Sequence, residues 1–425
     1  MRTTIQPGAI NGTIKVPSSK SITQRVLAAA LLHHGKTVIH NAGISDDENA
    51  ALKLILQLGA EIISVSGDTI TIESNGINPT ATEISCGESG LAARLFTPIA
   101  SLASTPITIT GNGTLMRRPM EGFKHVFKTL GVNLSGEDGF LPVTVHGPLE
   151  SLSFRVDASF GSQLLSGLLF ALCYSAKEKI TIEAYDLKSK PYIALTIDVL
   201  RKSGKPVSHD NYKTFTIDPA LFDIPPVLDL TVEGDWSSAA GLLVAAAISG
   251  SVTVNNLQTD SAQADKAILG ILKDAGASVS ISGDSVTVQK ARLKTFETDA
   301  THCPDLFPVL AILAASCQGE SYIYGVHRLF HKESNRAESI AEMLQNFNVP
   351  FSIEDDAFCV TGVGSLQGTV IDSYHDHRIA IAAAVGALNA NGQVDILNSE
   401  AIKKSYTSFF DDLSSCGINI SNYTH

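Results

Sequence analysis

The feature that most constrains this chain is an internal repeat of about seventy residues. Six times a helical pattern stops at a Gly or Asn: Gly59, Gly131, Gly204, Gly276, Asn348 and Gly417, at intervals of 72, 73, 72, 72 and 69 residues. These residue types adopt the left-handed conformation of a helix C-cap at low cost. Four residues before each stop stands an apolar side chain, Ile55, Phe127, Leu200, Leu272, Leu344 or Leu413, placed on the face of the final turn. Beyond each stop come alternating residues, a turn and a second alternating run, as in 62–72 around Ser66-Gly67-Asp68 and 279–288 around Ser282-Gly283-Asp284. Upstream lie a first helix and a strand such as 106–110 or 251–255. One unit is therefore predicted as helix, strand, second helix and hairpin, opened by a strand carried over from the preceding segment. The sixth copy is cut short soon after its cap. Units of this size exceed a solenoid repeat, so the six are expected to pack as two domains of three, with the midpoint near Glu233-Gly234-Asp235.

Composition narrows what such a fold can do. Of 425 residues, 44% are hydrophobic and 17% charged, a soluble globular balance. The longest apolar runs, such as 239–248 and 306–315, fall short of the ~18 residues of a membrane span, and no signal segment is read at the start. A cytoplasmic protein is expected. The six cysteines form no C-x-x-C pair and read as buried reduced thiols. A formal net charge of −12 argues against a nucleic-acid surface, so clustered cations call for a local explanation.

Such clusters follow the repeat. About forty residues before the caps, at the expected start of each first helix, stand Lys20, Gly90, Ser162, Asp235, Asp305 and Arg378. About thirteen before the caps, at the expected start of the second helix, stand Arg118, Lys190, Arg336 and Lys404, with Pro119 and Pro191 following two of them. Helix N-termini favour anions and disfavour cations. Placing Lys20, Arg118, Lys190, Arg378 and Lys404 at such points makes sense for a shared, multiply anionic ligand bearing phosphate or carboxylate. Two acids accompany them, Asp305 and Glu333, each a candidate general acid or base or else half of a helix-cap salt bridge. Gly35-Lys36-Thr37 lacks the upstream glycine of a nucleotide-binding loop. His375-Asp376-His377 has no third ligand in view, so no metal is expected. Gly111 and Gly113 are too short a pattern for a dinucleotide fingerprint.

These segments resemble, along nearly the whole chain, the 5-enolpyruvylshikimate-3-phosphate (EPSP) synthase family. The resemblance rests on 17–25 (PSSKSITQR), 86–94 (CGESGLAAR), 116–120 (MRRPM), Ser162-Gln163, 189–192 (SKPY), Glu233-Gly234-Asp235, Pro304-Asp305, 332–336 (KESNR), Asp376-His377-Arg378 and Lys404-Ser405, in the family's order. It implies an α/β fold, a two-domain inside-out α/β barrel of six units. Residues 1–18 would join 234–425 in one domain and 19–233 would form the other, the two closing on substrates held between them. It implies enolpyruvyl transfer from phosphoenolpyruvate to the 5-hydroxyl of shikimate 3-phosphate, no cofactor or metal, and a monomer with no nucleic-acid or membrane partner. By that analogy Lys20, Gly90, Arg118, Arg336, Arg378 and Lys404 would bind phosphoenolpyruvate. Lys20, Ser21, Arg25, Ser162, Gln163, Ser189, Tyr192, Asp305 and Lys332 would surround shikimate 3-phosphate. Asp305 and Glu333, with Lys20, would be catalytic. The sequence departs from the family at Gly161 and Asn335, where serine and aspartate are usual, and at Glu88 and Leu91 beside Gly90. A sister enzyme uses UDP-N-acetylglucosamine and a loop cysteine that 111–120 lacks; a non-catalytic anion-binding repeat protein is the reading from another class.

Overall fold

The structure, a computed structural model, describes residues 1–120, 122–136 and 139–423. Every predicted stop lies at positive φ: Gly59 at 115°, Gly131 at 71°, Gly204 at 77°, Gly276 at 82°, Asn348 at 60° and Gly417 at 95°. At each, the next residue's N–H donates to the carbonyl of the apolar residue noted above, at 2.9–3.2 Å, from Ala60 to Ile55 through Ile418 to Leu413. This closure satisfies a helix-end carbonyl. All six apolar residues are fully buried. Five of the donors are apolar; the third copy instead has Lys205, buried with its Nζ on the Cys173 carbonyl at 2.9 Å and over the Tyr174 and Phe222 rings.

The six units build six four-stranded sheets of one pattern. An opening strand runs parallel to the strand after the first helix, and the hairpin adds two antiparallel strands, its second arm inside and its first at the edge. In the third unit Phe154–Asp157 pairs parallel with Ile180–Tyr185, then Thr214–Ile217 and the edge strand Val207–Asp210 follow antiparallel. Three of the sheets are completed by strands from far along the chain. Val227–Thr231 opens the sheet of His34–His40, while Asn11–Lys15 opens that of Ser251–Asn255. In the sixth sheet Arg2–Ile5 takes the place of the missing hairpin arm, between Val394–Leu397 and Ile420–Tyr423.

These exchanges divide the chain into two compact units, Met1–Pro17 with Gly234–His425, and Ser18–Glu233; Ser18 falls with the second. In each, the first helices of three repeats pack together at the centre. In the first unit they are Trp236–Ser249, Phe307–Ala315 and His377–Ala387; in the second, Lys20–Leu32, Gly90–Ala100 and Ser162–Ser175. Phe307–Ala315 and His377–Ala387 are buried at every residue, as helices apolar all round must be, and the sheets carry the exposed faces. This is the inside-out arrangement. Glycine permits the close crossings: a Cβ on Gly167 would lie 2.5 Å from the Leu95 carbonyl oxygen, and one on Gly241 2.7 Å from Ile381 Cγ2. Each unit has its own apolar core. Five cysteines are buried and Cys359 is partly so, all reduced. No helix among the described residues is long and apolar enough to cross a membrane.

The caps differ in what an added side chain would meet. A Cβ on Gly204 would sit 2.0 Å from the Asp223 carbonyl oxygen, whereas one on Gly276 finds nothing nearer than 3.6 Å. Gly276→Ala is expected to cost about 1 kcal/mol from its φ alone, and Gly204→Ala clearly more. Urea midpoints of the two variants check this; equal losses would contradict it.

Candidate active site

The site residues assemble as two constellations, one in each unit. In the first unit the helix starts converge on a guanidinium. Asp235 caps Trp236–Ser249, accepting from Ser237 N at 3.1 Å and Ser238 Oγ at 2.8 Å. A one-turn 3₁₀ helix, Pro304–Leu306, runs directly into Phe307–Ala315 and presents Asp305. Asp376 caps His377–Ala387 through the Arg378 N–H at 2.9 Å, and Arg336 is the first residue of Arg336–Asn346.

Arg336 is wholly buried and meets three carboxylates. Its NH1 donates to Asp305 Oδ1 at 2.6 Å, NH2 to Glu333 Oε2 at 2.7 Å and Nε to Asp376 Oδ2 at 2.8 Å. Burial works against its charge, but Asp376, Glu333 and Asp305 raise the guanidinium pKa well above the ordinary value. Burial likewise pushes the Asp305 carboxyl up, but Lys332, Arg336 and Arg378 hold it well below the usual range. Lys332 Nζ lies 3.5 Å from Asp305 Oδ1 and Arg378 NH2 3.8 Å from Oδ2. Asn335 makes no cap bond, and its Oδ1 is buried without a hydrogen-bond partner. Arg336 is fixed by three carboxylates without one at 335. Lys404 Nζ donates to the His375 carbonyl at 2.8 Å.

In the second unit Lys20 begins the helix Lys20–Leu32 and pairs with Asp47 at 3.0 Å. Arg25, buried one turn on, donates to the carbonyls of Ser21 and Tyr192 and to Thr196 Oγ1, which in turn reaches Ser166. Burial lowers the Arg25 guanidinium to about 10, still protonated at neutral pH. That ladder links the helix beginning at Lys20 to those carrying Tyr192 and Ser162. Gln24 Nε2 donates to Ser89 Oγ at 3.1 Å. Gly90 backs directly on Arg118: a Cβ there would lie 2.5 Å from NH1. Glu88 accepts from the Thr114 N–H and hydroxyl. Ser162 and half-buried Gln163 open the helix Ser162–Ser175 behind Gly161, whose φ of 126° disfavours the serine usual there. Ser189, at φ 55°, is the N-cap of Lys190–Lys202, and Lys190 itself is exposed.

Two expectations need correction. Arg118 does not start a second helix: it follows the 3₁₀ helix Gly113–Arg117, and the helix Phe123–Thr129 begins only after Gly122. Lys404 ends the 3₁₀ helix Ser399–Lys404, ahead of Phe409–Ser415. Extra turns fill the second-helix position in both copies, so neither cation stands against a helix N-terminus. Two acids went unnoticed, Asp47 and Asp265. Both stand at the later phase, 12 and 11 residues before their caps, in the copies where no cation was found. Their spacing keeps the phase, but their charge is opposite to that of the cations that mark it in the other copies.

The family model for EPSP synthase (3-phosphoshikimate 1-carboxyvinyltransferase) matches residues 5–413. The chain belongs to the EPSP synthase family. A 3-phosphoshikimate 1-carboxyvinyltransferase of Clostridium novyi is 33% identical over 422 residues, covering 97% of each chain. One of Clostridium kluyveri is 34% identical, covering 99% of this chain and 98% of that one. The solved EPSP synthase of Acinetobacter baumannii superposes with a TM-score of 0.82 at 25% identity, over 99% of this chain and all of that one. The enolpyruvyl transferase NikO of Streptomyces tendae, at 18% identity and a TM-score of 0.78, shares the fold.

The Arg336 knot makes a prediction about acid stability. Asp305 titrates lower when folded, so its contribution is present above the unfolded carboxylate value near pH 4 and is lost as pH falls through the folded one. Arg336→Met removes the buried cation shared by three carboxylates and is expected to cost about 3–5 kcal/mol at pH 7, and less at pH 3. Denaturant titrations of both proteins at the two pH values check it; a pH-independent deficit would contradict it.

Proposed function

We propose that the chain transfers the enolpyruvyl group of phosphoenolpyruvate to the 5-hydroxyl of shikimate 3-phosphate by addition and elimination, releasing phosphate. The observation that carries the reading is Arg336, whose one guanidinium holds both candidate proton-transfer groups, Asp305 and Glu333. The family supports the substrates. The local chemistry supports the roles.

The substrate carboxylate binds Arg336 and Arg378, taking NH1 and NH2 of Arg336 from Asp305 and Glu333. Asp305 is ionised at neutral pH but a weak base while so strongly paired; losing that bond raises its basicity. It then accepts the proton of the attacking 5-hydroxyl, and Glu333, protonated from solvent once Arg336 releases it, delivers that proton to the methylene carbon. The C–O bond formed gives a tetrahedral intermediate; in its collapse a methyl proton returns to the Glu333 carboxylate as the C–O bond to phosphate breaks, and the proton held by Asp305 leaves with the phosphate. Lys20, Gly90, Arg118 and Lys404 serve the phosphate side, where cations stabilise developing charge. Ser21, Arg25, Ser162, Gln163, Ser189, Tyr192 and Lys332 hold shikimate 3-phosphate. The residues assigned are carried by both units. All come from one chain, and a monomer is sufficient.

Phosphate release from phosphoenolpyruvate is expected with shikimate 3-phosphate and not with UDP-N-acetylglucosamine. Release with neither would leave a binding protein. Glu333→Gln is expected to fold normally and lose at least about a hundredfold in kcat; near-normal turnover would remove Glu333 from the mechanism. Gly90→Ala displaces Arg118 and is expected to raise the KM for phosphoenolpyruvate about tenfold or more, against little change for shikimate 3-phosphate. Steady-state kinetics with each substrate varied in turn checks the split.

A further inference from the structure

Thr196 has no role assigned above, yet it holds Arg25 by one edge. Both side chains are wholly buried. A guanidinium carries five N–H groups in one rigid plane, and three of those of Arg25 have partners. Nε donates to Thr196 Oγ1 at 2.9 Å, NH2 to the Tyr192 carbonyl at 3.1 Å and NH1 to the Ser21 carbonyl at 2.6 Å. The first two acceptors stand one turn apart in the helix Lys190–Lys202 and take the edge shared by Nε and NH2. Ser21, one turn before Arg25 in the helix Lys20–Leu32, takes the opposite side. One N–H is left on each terminal nitrogen, and in a guanidinium held this way the two point forward side by side. That fork matches the paired oxygens of a carboxylate or a phosphate.

Among the described residues no carboxylate pairs with Arg25; its printed partners are two carbonyls and a hydroxyl, all neutral. Its charge therefore stays open to an incoming anion, unlike that of Arg336. The residues holding its terminal nitrogens, Ser21 and Tyr192, are only partly buried. Thr196 is free to accept because its own proton is spent elsewhere. It donates to Ser166 Oγ at 2.8 Å, with the Tyr192 carbonyl as the alternative at 3.1 Å. A helical threonine commonly spends its hydroxyl only on the carbonyl one turn back. Here Ser166, wholly buried in the helix Ser162–Ser175, adds a second anchor. Branching at Cβ restricts the rotamer, so the oxygen offered to Arg25 has little freedom to swing away.

We infer that Thr196 is a positioning residue for Arg25: its hydroxyl oxygen, with the Tyr192 carbonyl, sets the guanidinium plane so that the remaining fork meets an anionic group of the bound substrate. This rests on the function proposed above for the identity of that substrate, shikimate 3-phosphate. The hydrogen bonds that set the plane exist in the free protein.

The test is Thr196→Val, which keeps the branched shape and removes the acceptor. Calorimetry is expected to show shikimate 3-phosphate bound about tenfold more weakly than by the wild type, or weaker still. Its KM is expected to rise to match, with the KM for phosphoenolpyruvate and kcat each within about threefold of the wild type. Thr196→Ser restores the oxygen and is expected to bring the affinity back to within about threefold. Unchanged affinity in Thr196→Val, or a loss that Thr196→Ser does not restore, overturns the inference. Arg25→Lys has no Nε–H to hold, so adding Thr196→Val to it is expected to weaken binding by less than about twofold further; a loss as large as in the wild-type background overturns the inference. A crystal structure of the wild type with shikimate 3-phosphate depends on no variant folding. It is expected to show Nε still on Thr196 Oγ1 and both terminal nitrogens on one anionic group of the ligand. A ligand bound away from that fork, or a guanidinium detached from Thr196, overturns the inference. Binding by the wild type without phosphate release would refute the proposed reaction and leave the affinities to decide the role of Thr196. No binding of shikimate 3-phosphate by the wild type would overturn both.

Discussion

A guanidinium buried among three carboxylates is the arrangement on which the rest of the first unit depends. Arg336 has no water to turn to, so its charge is tolerable only while Asp305, Glu333 and Asp376 are held around it. Holding them requires segments distant in sequence to meet at their starts. Asp376 comes from one repeat, Asp305 and Arg336 from another, and Glu333 from the loop just before Arg336. Such a knot is a poor way to gain stability, since burying ions is costly. On the function proposed above, it would hold two proton-transfer groups ready and release them when a substrate carboxylate takes over the guanidinium.

The fold serves that requirement by repetition. Each copy ends its second helix with the same closure, in which the cap's backbone bond and the buried apolar residue coincide. Three copies then place three apolar helices side by side, and glycine at the crossings lets their backbones approach. Where the helix starts of three copies meet, unpaired N–H groups and polar side chains collect. Variation at those few positions, acid in one copy and cation in another, turns a structural repeat into a site without disturbing the cores beneath it.

Much of this was legible in the sequence because the repeat imposes a ruler on it. The six stops, the apolar residue before each and the two phases of polar residues all follow from spacing. What escaped has physical reasons. The strands Asn11–Lys15 and Val227–Thr231 are each followed by a central helix, yet each opens the sheet of the other's unit. Asn11–Lys15 buries only Ile14 and Val227–Thr231 buries Leu228 and Leu230, and neither pattern distinguishes partner from neighbour. Arg118 and Lys404 kept the phase but not the structure, because short 3₁₀ turns occupy the same length of chain as a helix start. Asp47 and Asp265 kept the phase with the opposite charge. A ruler shows where to look; it does not give the sign of what will be found there.

The central claim is that Arg336 exchanges carboxylate partners when substrate binds. The most direct measurement is a crystal structure with phosphoenolpyruvate, or a non-reacting analogue retaining its carboxylate, bound beside shikimate 3-phosphate. The account predicts the ligand carboxylate on NH1 and NH2 of Arg336, with Asp305 and Glu333 released from them and Asp376 still on Nε. A bound ligand with Arg336 still holding Asp305 at 2.6 Å and Glu333 at 2.7 Å would contradict it.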